Sequence, residues 1–508
     1  MRKTVFIKNA LILTVTSLIL RFAGIIFKVW LGAIVGSEGI GLYSLIFSVH
    51  ILASTFAASG ISTAVTRLIA EEISLGSKNS TLKILKKSII LTLFVAAISM
   101  LILFLGADFI AKSLLSDTRA AVSLKILPLS LPFMGITSCL RGYFIANRSA
   151  TPNAISQIFE QAIRIILVVT LIKRFINRGL AICCAAVVMG DAAAEILSCL
   201  LLYLIYLKNR KKLNNLKGRQ HPPYPIFKKI TAIALPITSG RYLNTALRTI
   251  ENILVPKNLA KYALSGSSAL SQFGMIKGMA LPILFFPSAI LNSVSTLLIP
   301  EMSEAAAKKQ NLIVKTATKR ILRLTSLLSF IFAAIFFVSG DKIGLLIYKS
   351  EDIGFLIKAL SPIVPLMYLD SISDGMLKGL DQQLFSFRTA IGDSLLRILL
   401  ILIILPKFGL SGFIGIMYFS NLLTCLLNVG RLTKITKANL KITNEIMLPI
   451  ICALTVTYIT DSILKLFFTQ NILVYIILLS IISSSLYLVF LNFFGIMKKE
   501  EILQYIHR

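Results

Sequence analysis

Two basic residues interrupt the first apolar stretch of this 508-residue chain. Arg21 and Lys28 are seven positions apart, so two helical turns place both on one face, and no acidic residue in that stretch neutralises them. Arginine binds a phosphate through two hydrogen bonds, and lysine binds it as a point charge. The pattern favours binding of an anionic group such as a diphosphate. The alternative for Lys28 is that its side chain reaches the membrane surface.

A polar face recurs on the seventh apolar stretch. Arg241, Asn244, Arg248 and Glu251 follow one another at intervals of three, four and three residues, which aligns them along one side of a helix. Such a face cannot contact lipid. Glu251 either pairs with Arg248 one turn away or takes up a proton or sodium ion when a bound anion leaves. Both interpretations remain open.

The eighth apolar stretch combines a charge with residues that bend helices. Lys277 lies among Gln272, Gly274, Gly278 and Pro282. Broken helices beside a polar site are common in transporters, whereas small residues also allow close helix packing. We include Lys277 among the candidate substrate-binding residues.

Two ion pairs are predicted within helices. Glu160 and Arg164, and likewise Asp393 and Arg397, are four residues apart, a spacing that brings the two charges together. We interpret both pairs as structural elements of bundle packing, with gating as the alternative.

Several acids are candidates for ion coupling or gating. Asp191 and Glu195 are four apart on the sixth stretch, so burial of both would require a proton or a cation on at least one. Asp374, spaced by four from Asp370 and Lys378, is a further candidate. Glu251 completes this group.

The chain is an internal duplication. At an offset of 233 residues, Glu160 falls on Asp393 and Arg164 on Arg397. The same offset relates other residues of both halves: Asp108 and Asp341, Lys125 and Lys358, Gly142 and Gly375, Gly179 and Gly412. Because both copies run in the same direction, we expect two helical bundles side by side with a substrate path between them.

The composition is that of a membrane protein. The mean hydropathy is +0.84, with 56% hydrophobic and 15% charged residues. We predict an all-α polytopic fold with about fourteen spanning helices. Each half contributes six, in an N-terminal lobe over 1–207 and a C-terminal lobe over 230–441. A basic cytoplasmic linker over 208–229 joins them, and a helix pair with a short tail occupies 442–508.

The net charge of +31 follows membrane topology. Lysine and arginine concentrate in alternate loops, as the positive-inside rule requires, and Lys173, Arg174 and Arg178 are exceptions. We therefore expect a cytoplasmic-membrane protein with both termini in the cytoplasm, and no nucleic-acid partner. The first stretch lacks a small-residue cleavage site, which favours a retained helix.

Cysteine and histidine give no sign of metal or redox chemistry. The six cysteines lie in predicted spans without metal-ligand spacing, and His50, His221 and His507 are scattered. We expect no metal, no cofactor and no catalytic residues.

The chain resembles the multidrug/oligosaccharidyl-lipid/polysaccharide (MOP) exporter superfamily, and within it the stage V sporulation protein B and lipid II flippase branch. The segments that carry the resemblance are Arg21-Phe-Ala-Gly24, residues 60–71, Arg248-Thr-Ile-Glu251, residues 278–287 and residues 298–304. The resemblance implies two lobes that alternate between inward-open and outward-open states. It also implies a cationic cavity lined by the first, second, seventh and eighth helices, and a lipid-tail groove at the terminal pair.

One position departs from the family pattern. An arginine pair is expected in the second helix, but Ala53-Ser54 lie near that place and His50 is the nearest basic group. We therefore add His50 to the candidate substrate-binding residues. Arg21 matches the first-helix arginine of the pattern.

The resemblance implies a flippase for an undecaprenyl-diphosphate-linked glycan, with the peptidoglycan precursor lipid II as the first candidate. Alternatives are a flippase for another polysaccharide repeat unit and a cation-coupled drug antiporter. A membrane glycosyltransferase would need carboxylates on a sizeable external loop, which the sequence lacks. A noncatalytic assembly scaffold is a further alternative. A proton, sodium or chloride gradient or the membrane potential is the expected driving force. We expect a monomer, with cell-wall synthesis proteins as candidate partners.

Overall fold

The structure is a computed structural model that describes residues 2–58, 60–74, 78–212, 225–263, 265–288, 291, 302–438, 443–467 and 471–495. These residues are almost entirely helical and contain no strand. Most of the predicted linker, the start of the 298–304 segment and the C-terminal tail lie outside them. The all-α prediction is confirmed.

The helices of the first half and of the connection to the second are α1 (Arg2–Ala58), α2 (Ile61–Ser74), α3 (Lys78–Phe109), α4 (Ala120–Ile126), α5 (Leu131–Ala146), α6 (Thr151–Phe175), α7 (Leu180–Lys212), α8 (Ile226–Ala263), α9 (Gly266–Gly274) and α10 (Leu281–Phe285). Those that follow are α11 (Asn311–Tyr348), α12 (Glu351–Leu360), α13 (Val364–Gly379), α14 (Gln383–Thr436), α15 (Leu448–Phe467) and α16 (Ile472–Phe493). A π-helical turn, Met275–Ala280, joins α9 to α10.

Eleven helices of the described residues are long and apolar enough to cross a membrane. Two of these candidate spans contain a non-helical residue, Gly36 in α1 and Gly409 in α14, and each is thereby divided into two arms. Gly36 has φ 78° and ψ 173°, a conformation that side chains rarely adopt. Dividing these two helices raises the eleven spans to thirteen segments. α8 is long enough to span the membrane but is more polar, and it is the fourteenth.

Helix boundaries repeat at the predicted offset. α3 begins at Lys78 and α11 at Asn311, while α5 and α13 agree at both ends, each 233 residues apart. Left-handed residues recur in the same register: Ser116 (φ 55°) corresponds to Lys349 (φ 52°), and Arg148 (φ 55°) to Asp381 (φ 58°). Because backbone conformation was not used to find the repeat, these matches support the duplication independently.

Several helix breaks occur inside apolar sequence. The break that precedes α7 is at Gly179, and the corresponding break in α14 is at Gly409, three residues before the Gly412 that the offset pairs with Gly179. α1 ends at Ala58, and a separate helix begins at Ile61. Hydropathy does not detect breaks that occur inside apolar sequence.

The helices pack into two compact units. The first contains Met1–Phe27 and Val35–Gly274, and the second contains Lys28–Ile34 and Met275–Arg508. α8 and α9 therefore pack with the first unit, so these units differ from the lobes that the repeat defines. The lobe boundaries remain a prediction.

Each unit has its own apolar core. In the first, Leu68, Leu140, Phe144 and Leu202 pack together and bring α2, α5 and α7 into contact. In the second, one side of α11 packs against the terminal helices α15 and α16, through residues such as Phe330, Cys452 and Tyr487. Inside a bilayer such contacts stabilise by close van der Waals packing.

Candidate functional site

The first unit contains a partly open cavity of about 410 Å³ whose wall carries several ionisable side chains. It is lined by the second arm of α1 together with α2, α5, α6, α7 and the turn before α5. The ionisable residues on its wall are His50, Arg141, Glu160, Arg164, Asp191 and Glu195. A buried charge costs several kcal/mol unless it is paired, so the contacts among these groups decide what the cavity can bind.

Glu160 bridges two arginines. Arg164 Nη2 donates to Glu160 Oε1 at 2.8 Å, and Arg141 Nη2 donates to Glu160 Oε2 at 3.0 Å. The first contact is the predicted pair within α6; the second links α6 to α5. Arg164 also donates from Nη1 to Gln161 Oε1 at 3.0 Å.

Asp191 ties α7 to two other helices. Tyr43 Oη, on the second arm of α1, donates to Asp191 Oδ2 at 2.9 Å. Arg164 Nε lies 3.1 Å from Asp191 Oδ1, and because neither atom has a hydrogen-bond partner, this contact is an ion pair. Asp191 is therefore held by one hydroxyl and one guanidinium.

Glu195 lies one helical turn beyond Asp191 and is 8% exposed. Its carboxyl group forms no ion pair with any described residue. Asp191 and Glu195 are therefore both buried. We expected that burial of both would require a proton or a cation on at least one of them.

His50 lines the same cavity from α1. Its imidazole is 7% exposed, and Nδ1 has no hydrogen-bond partner among the described residues. His50 is the one member of the predicted substrate-binding group on this wall.

α8 is fastened to the second arm of α1 close to His50. Thr249 Oγ1 donates to the Ser48 carbonyl at 3.1 Å, and Asn252 Nδ2 donates to Ser48 Oγ at 2.9 Å. Further along the two helices, the rings of Phe56 and Tyr242 meet edge to face, 5.8 Å apart. These contacts fix the position of α8 within the first unit.

The basic residues of α8 do not join these contacts. Arg241 and Arg248 are exposed and have no ion pair or hydrogen bond with any described residue, whereas Asn244 is half-buried. Glu251 is 3% exposed. The alternative in which Arg248 pairs with Glu251 one turn away is not observed.

Arg21 and Lys28 on α1 are likewise exposed and without an ion pair or hydrogen bond to the described residues. Arg21 belongs to the first unit and Lys28 to the second. Lys277 lies in the π-helical turn and is half-buried. Four predicted anion-binding residues, two on α1 and two on α8, therefore carry uncompensated positive charge.

The second unit contains its own polar cluster at repeat-related positions. Ser420 Oγ donates to Asp393 Oδ1 at 2.5 Å, and Arg397 Nη1 lies 3.9 Å from Asp393 Oδ2, as the predicted pair requires. Asp374 pairs with Lys378 at 2.5 Å. Asn428 Nδ2 donates to Asp370 Oδ1 at 2.8 Å.

Sequence reasoning missed Arg141 and Tyr43. Arg141 is an arginine within an apolar span, and it corresponds to Asp374 at the repeat offset, so its charge was a usable signal. Tyr43 gave none, because a tyrosine in an apolar helix is ordinary until its hydroxyl partner is known.

A separate cluster lies at the turn before α4. Arg119 forms hydrogen bonds with Asp117 and an ion pair with Glu38 at 2.9 Å. The hydrogen bonds to Asp117, together with Glu38, raise the pKa of Arg119 above its ordinary value. This contact ties the turn to the start of the second arm of α1.

No described group of three or more histidine, cysteine, aspartate or glutamate side chains is placed to hold a metal ion. The six cysteines are buried and free.

Comparison with known proteins identifies the family. A family model described as polysaccharide biosynthesis protein matches residues 6–306. The chain belongs to the polysaccharide biosynthesis protein family. Stage V sporulation protein B of Bacillus subtilis (strain 168) is 28% identical and aligns over 99% of this chain and 98% of its own. The lipid II flippase MurJ of the same organism is 21% identical over 75% of this chain and 74% of its own.

Solved structures share the fold of this family member. One described as lipid II flippase MurJ, inward closed conformation, has a TM-score of 0.69 and 16% identity, and the match covers 94% of this chain and 98% of that one. An inward-facing multidrug resistance MATE family transporter of the MOP superfamily has a TM-score of 0.65 and 15% identity, covering 82% and 94%. The predicted membership of the MOP superfamily, in the branch of stage V sporulation protein B and MurJ, is confirmed.

Proposed function

We propose that this protein is a flippase that moves an undecaprenyl-diphosphate-linked glycan across the cytoplasmic membrane, with lipid II as the first candidate substrate. The observation that carries the proposal is a set of four basic side chains on α1 and α8 that have no ion pair or hydrogen bond to any described residue: Arg21, Lys28, Arg241 and Arg248. A membrane protein retains such charges at a cost, and an anionic ligand would offset it.

A diphosphate fits these residues chemically. Each guanidinium offers paired N–H donors to phosphate oxygens, and charge-assisted hydrogen bonds contribute about 1.5–3 kcal/mol each. The polyprenyl tail remains in the lipid, because transferring it into a polar cavity would expose apolar surface to water. The protein then needs to shield only the headgroup during translocation.

The fold supplies a means of alternating access in this proposal. Broken or kinked segments at Gly36, the π-helical turn and Gly409 are places where helix arms can change direction without losing their internal hydrogen bonds. Movement of the α1 arm that carries Arg21 and of α8, which carries Arg248, would transfer the bound headgroup from one side of the membrane to the other.

The family and the relatives support a lipid-linked saccharide over other substrates. Two relatives are named for sporulation and for the flipping of lipid II: stage V sporulation protein B and the lipid II flippase MurJ. A flippase for another polysaccharide repeat unit remains the main alternative, because the diphosphate is common to both. A drug antiporter is the second alternative; the unpaired cations disfavour it, since cationic drugs would be repelled.

A comparison of substrates tests this proposal. Purified protein in vesicles is supplied with lipid II or with an undecaprenyl-diphosphate carrying a different glycan, and the headgroup that appears on the opposite face is measured. We expect translocation of lipid II. Transport of the other glycan alone would replace lipid II as the substrate, and transport of neither would contradict the flippase.

The membrane and the topology are part of the proposal. We place the protein in the cytoplasmic membrane with both termini in the cytoplasm, acting as a monomer with no cofactor, and assign no metal. Impermeant labelling of single cysteines introduced at each end, in intact cells, tests the orientation.

A further inference from the structure

Acidic side chains outnumber arginines by one in the cavity of the first unit. Its three carboxyl groups, Glu160, Asp191 and Glu195, face two guanidinium groups, Arg141 and Arg164. If all five were ionised, the cluster would carry one net negative charge in a buried setting. Such a charge is costly, so a compensating cation or proton is required.

The geometry indicates where that proton lies. Glu160 accepts hydrogen bonds from both arginines. Asp191 accepts a hydrogen bond from Tyr43 and pairs with Arg164. Glu195 is 8% exposed, and its carboxyl group forms no ion pair with any described residue. One proton on Glu195 therefore brings the cluster to zero net charge.

His50 is an independent sign of exchange at this site. Its buried imidazole lines the same cavity and has an unsatisfied Nδ1, which needs a donor or a water molecule. A cavity of about 410 Å³ with hydroxyl groups on its wall has room for water beside these groups. A proton that leaves Glu195 therefore has an acceptor close by.

In the second repeat, the position of Glu195 is occupied by an amide, which cannot lose a proton. Glu195 corresponds to Asn428 at the offset of 233. The amide of Asn428 donates a hydrogen bond to Asp370, which corresponds to Thr137. A neutral hydrogen-bond donor therefore occupies this position in the second repeat, as a protonated Glu195 does in the first.

We propose that the cavity of the first unit is an exchangeable proton-binding site, in which Glu195 holds one proton and Arg141 and Arg164 are the counter-ions of the other carboxylates. On release, the O–H bond of the Glu195 carboxyl group breaks, the proton passes to water in the cavity, and the electron pair stays on the carboxylate. The use of this proton to drive transport rests on the proposed flippase function; the binding of the proton does not.

The charged and titratable groups around Glu195 come from three helices. α6 provides Glu160 and Arg164, α5 provides Arg141, and α1 provides Tyr43 and His50; Asp191 lies on α7 itself. Release of the proton leaves two adjacent carboxylates, so the arginines and α7 should shift relative to one another. Because Asp191 also binds Tyr43, that shift would reach the second arm of α1.

Infrared difference spectroscopy of the full-length protein in lipid nanodiscs, in H₂O and D₂O, detects protonated carboxyl groups without any substrate. At neutral pH we expect a carboxylic-acid band that is lost in Glu195→Gln and lost or shifted in Glu160→Gln. Glu71→Gln, an exposed glutamate of α2 paired with Arg67, is the matched control and should retain it. Both glutamine variants keep the side-chain shape.

The result that would overturn the proton site is a band absent from the parent protein, or one unchanged in both variants. Loss of the band on adding Na⁺ at constant pH would also overturn it, by making sodium the bound ion. Translocation in vesicles separates this inference from the proposed function. If Glu195→Gln removes the band but the parent protein translocates no glycan, the proton site is supported and the flippase proposal is contradicted.

Discussion

The ammonium group of Lys125 lies 2.8 Å from the carboxylate of Asp108, and Lys358 and Asp341, each 233 residues further on, repeat this pair at 3.2 Å. The offset was found from sequence identity at these positions, without reference to contacts. The two ion pairs therefore show that both halves fold the corresponding helices against each other in the same way.

The surface and buried ion pairs should differ in their effect on stability. Arg164→Met removes the arginine that pairs with the buried Asp191, while Glu160 keeps Arg141. An uncompensated buried charge costs about 3–5 kcal/mol. Lys125→Met removes an exposed partner, which contributes about 0–1 kcal/mol. Thermal unfolding in detergent should show a large fall in midpoint for the first variant and almost none for the second. Equal midpoints would mean that the cluster is not buried in the folded protein.

Gly409 should not tolerate a side chain. Its φ of 54° and ψ of −133° lie in a region that is essentially restricted to glycine, so Gly409→Ala should destabilise the protein by about 1–3 kcal/mol. Gly415→Ala, six residues later in the same helix, adds a Cβ with nothing within 4 Å and should be neutral or slightly stabilising. The measurement is the unfolding midpoint of each variant. A neutral Gly409→Ala would show that α14 runs without a break.

The terminal pair should depend on a cluster at the end of α11. Tyr475 Oη donates to the Asp461 carboxylate, which also pairs with Lys465 at 2.6 Å, and the Lys342 ammonium lies 3.1 Å from the Tyr475 ring centroid. Lys342→Met should weaken the attachment of α16 to α11 by about 0.5–2 kcal/mol.

Tyr475→Phe separates the two contributions in that cluster. It loses the hydrogen bond but keeps a ring for Lys342, so the effect of Lys342→Met should persist in its background. Limited proteolysis between α15 and α16 measures this. If Lys342→Met had no effect in the parent protein or in Tyr475→Phe, the Lys342 ammonium group and the ring at position 475 would not interact.

Much of the fold was predictable because it depends on pattern. Apolar length indicated the spans, and like residues at a fixed spacing revealed the duplication before any contact was known. The pair of Glu160 and Arg164 could be predicted because both charges lie on one helix, four residues apart. Such information is local to the sequence.

The remainder depends on contacts between distant segments. The position of Gly409 as the break could not be distinguished from Gly412, since both interrupt the same apolar stretch. Tyr43 and Asp191 are 148 residues apart, and their hydrogen bond exists only because α1 and α7 line one cavity. Likewise, hydropathy gave no reason for α8 to pack with the first unit.

The most direct test of the central claim is translocation of lipid II in vesicles by the parent protein, Arg21→Gln/Arg248→Gln, and the control Arg67→Gln. Arg67 is exposed and lies on α2. We expect the double variant, folded and inserted normally, to translocate lipid II at least about tenfold more slowly than the parent, because each charge-assisted contact contributes about 1.5–3 kcal/mol. Arg67→Gln should retain the parent rate. Translocation by the double variant at the parent rate would contradict the cationic site.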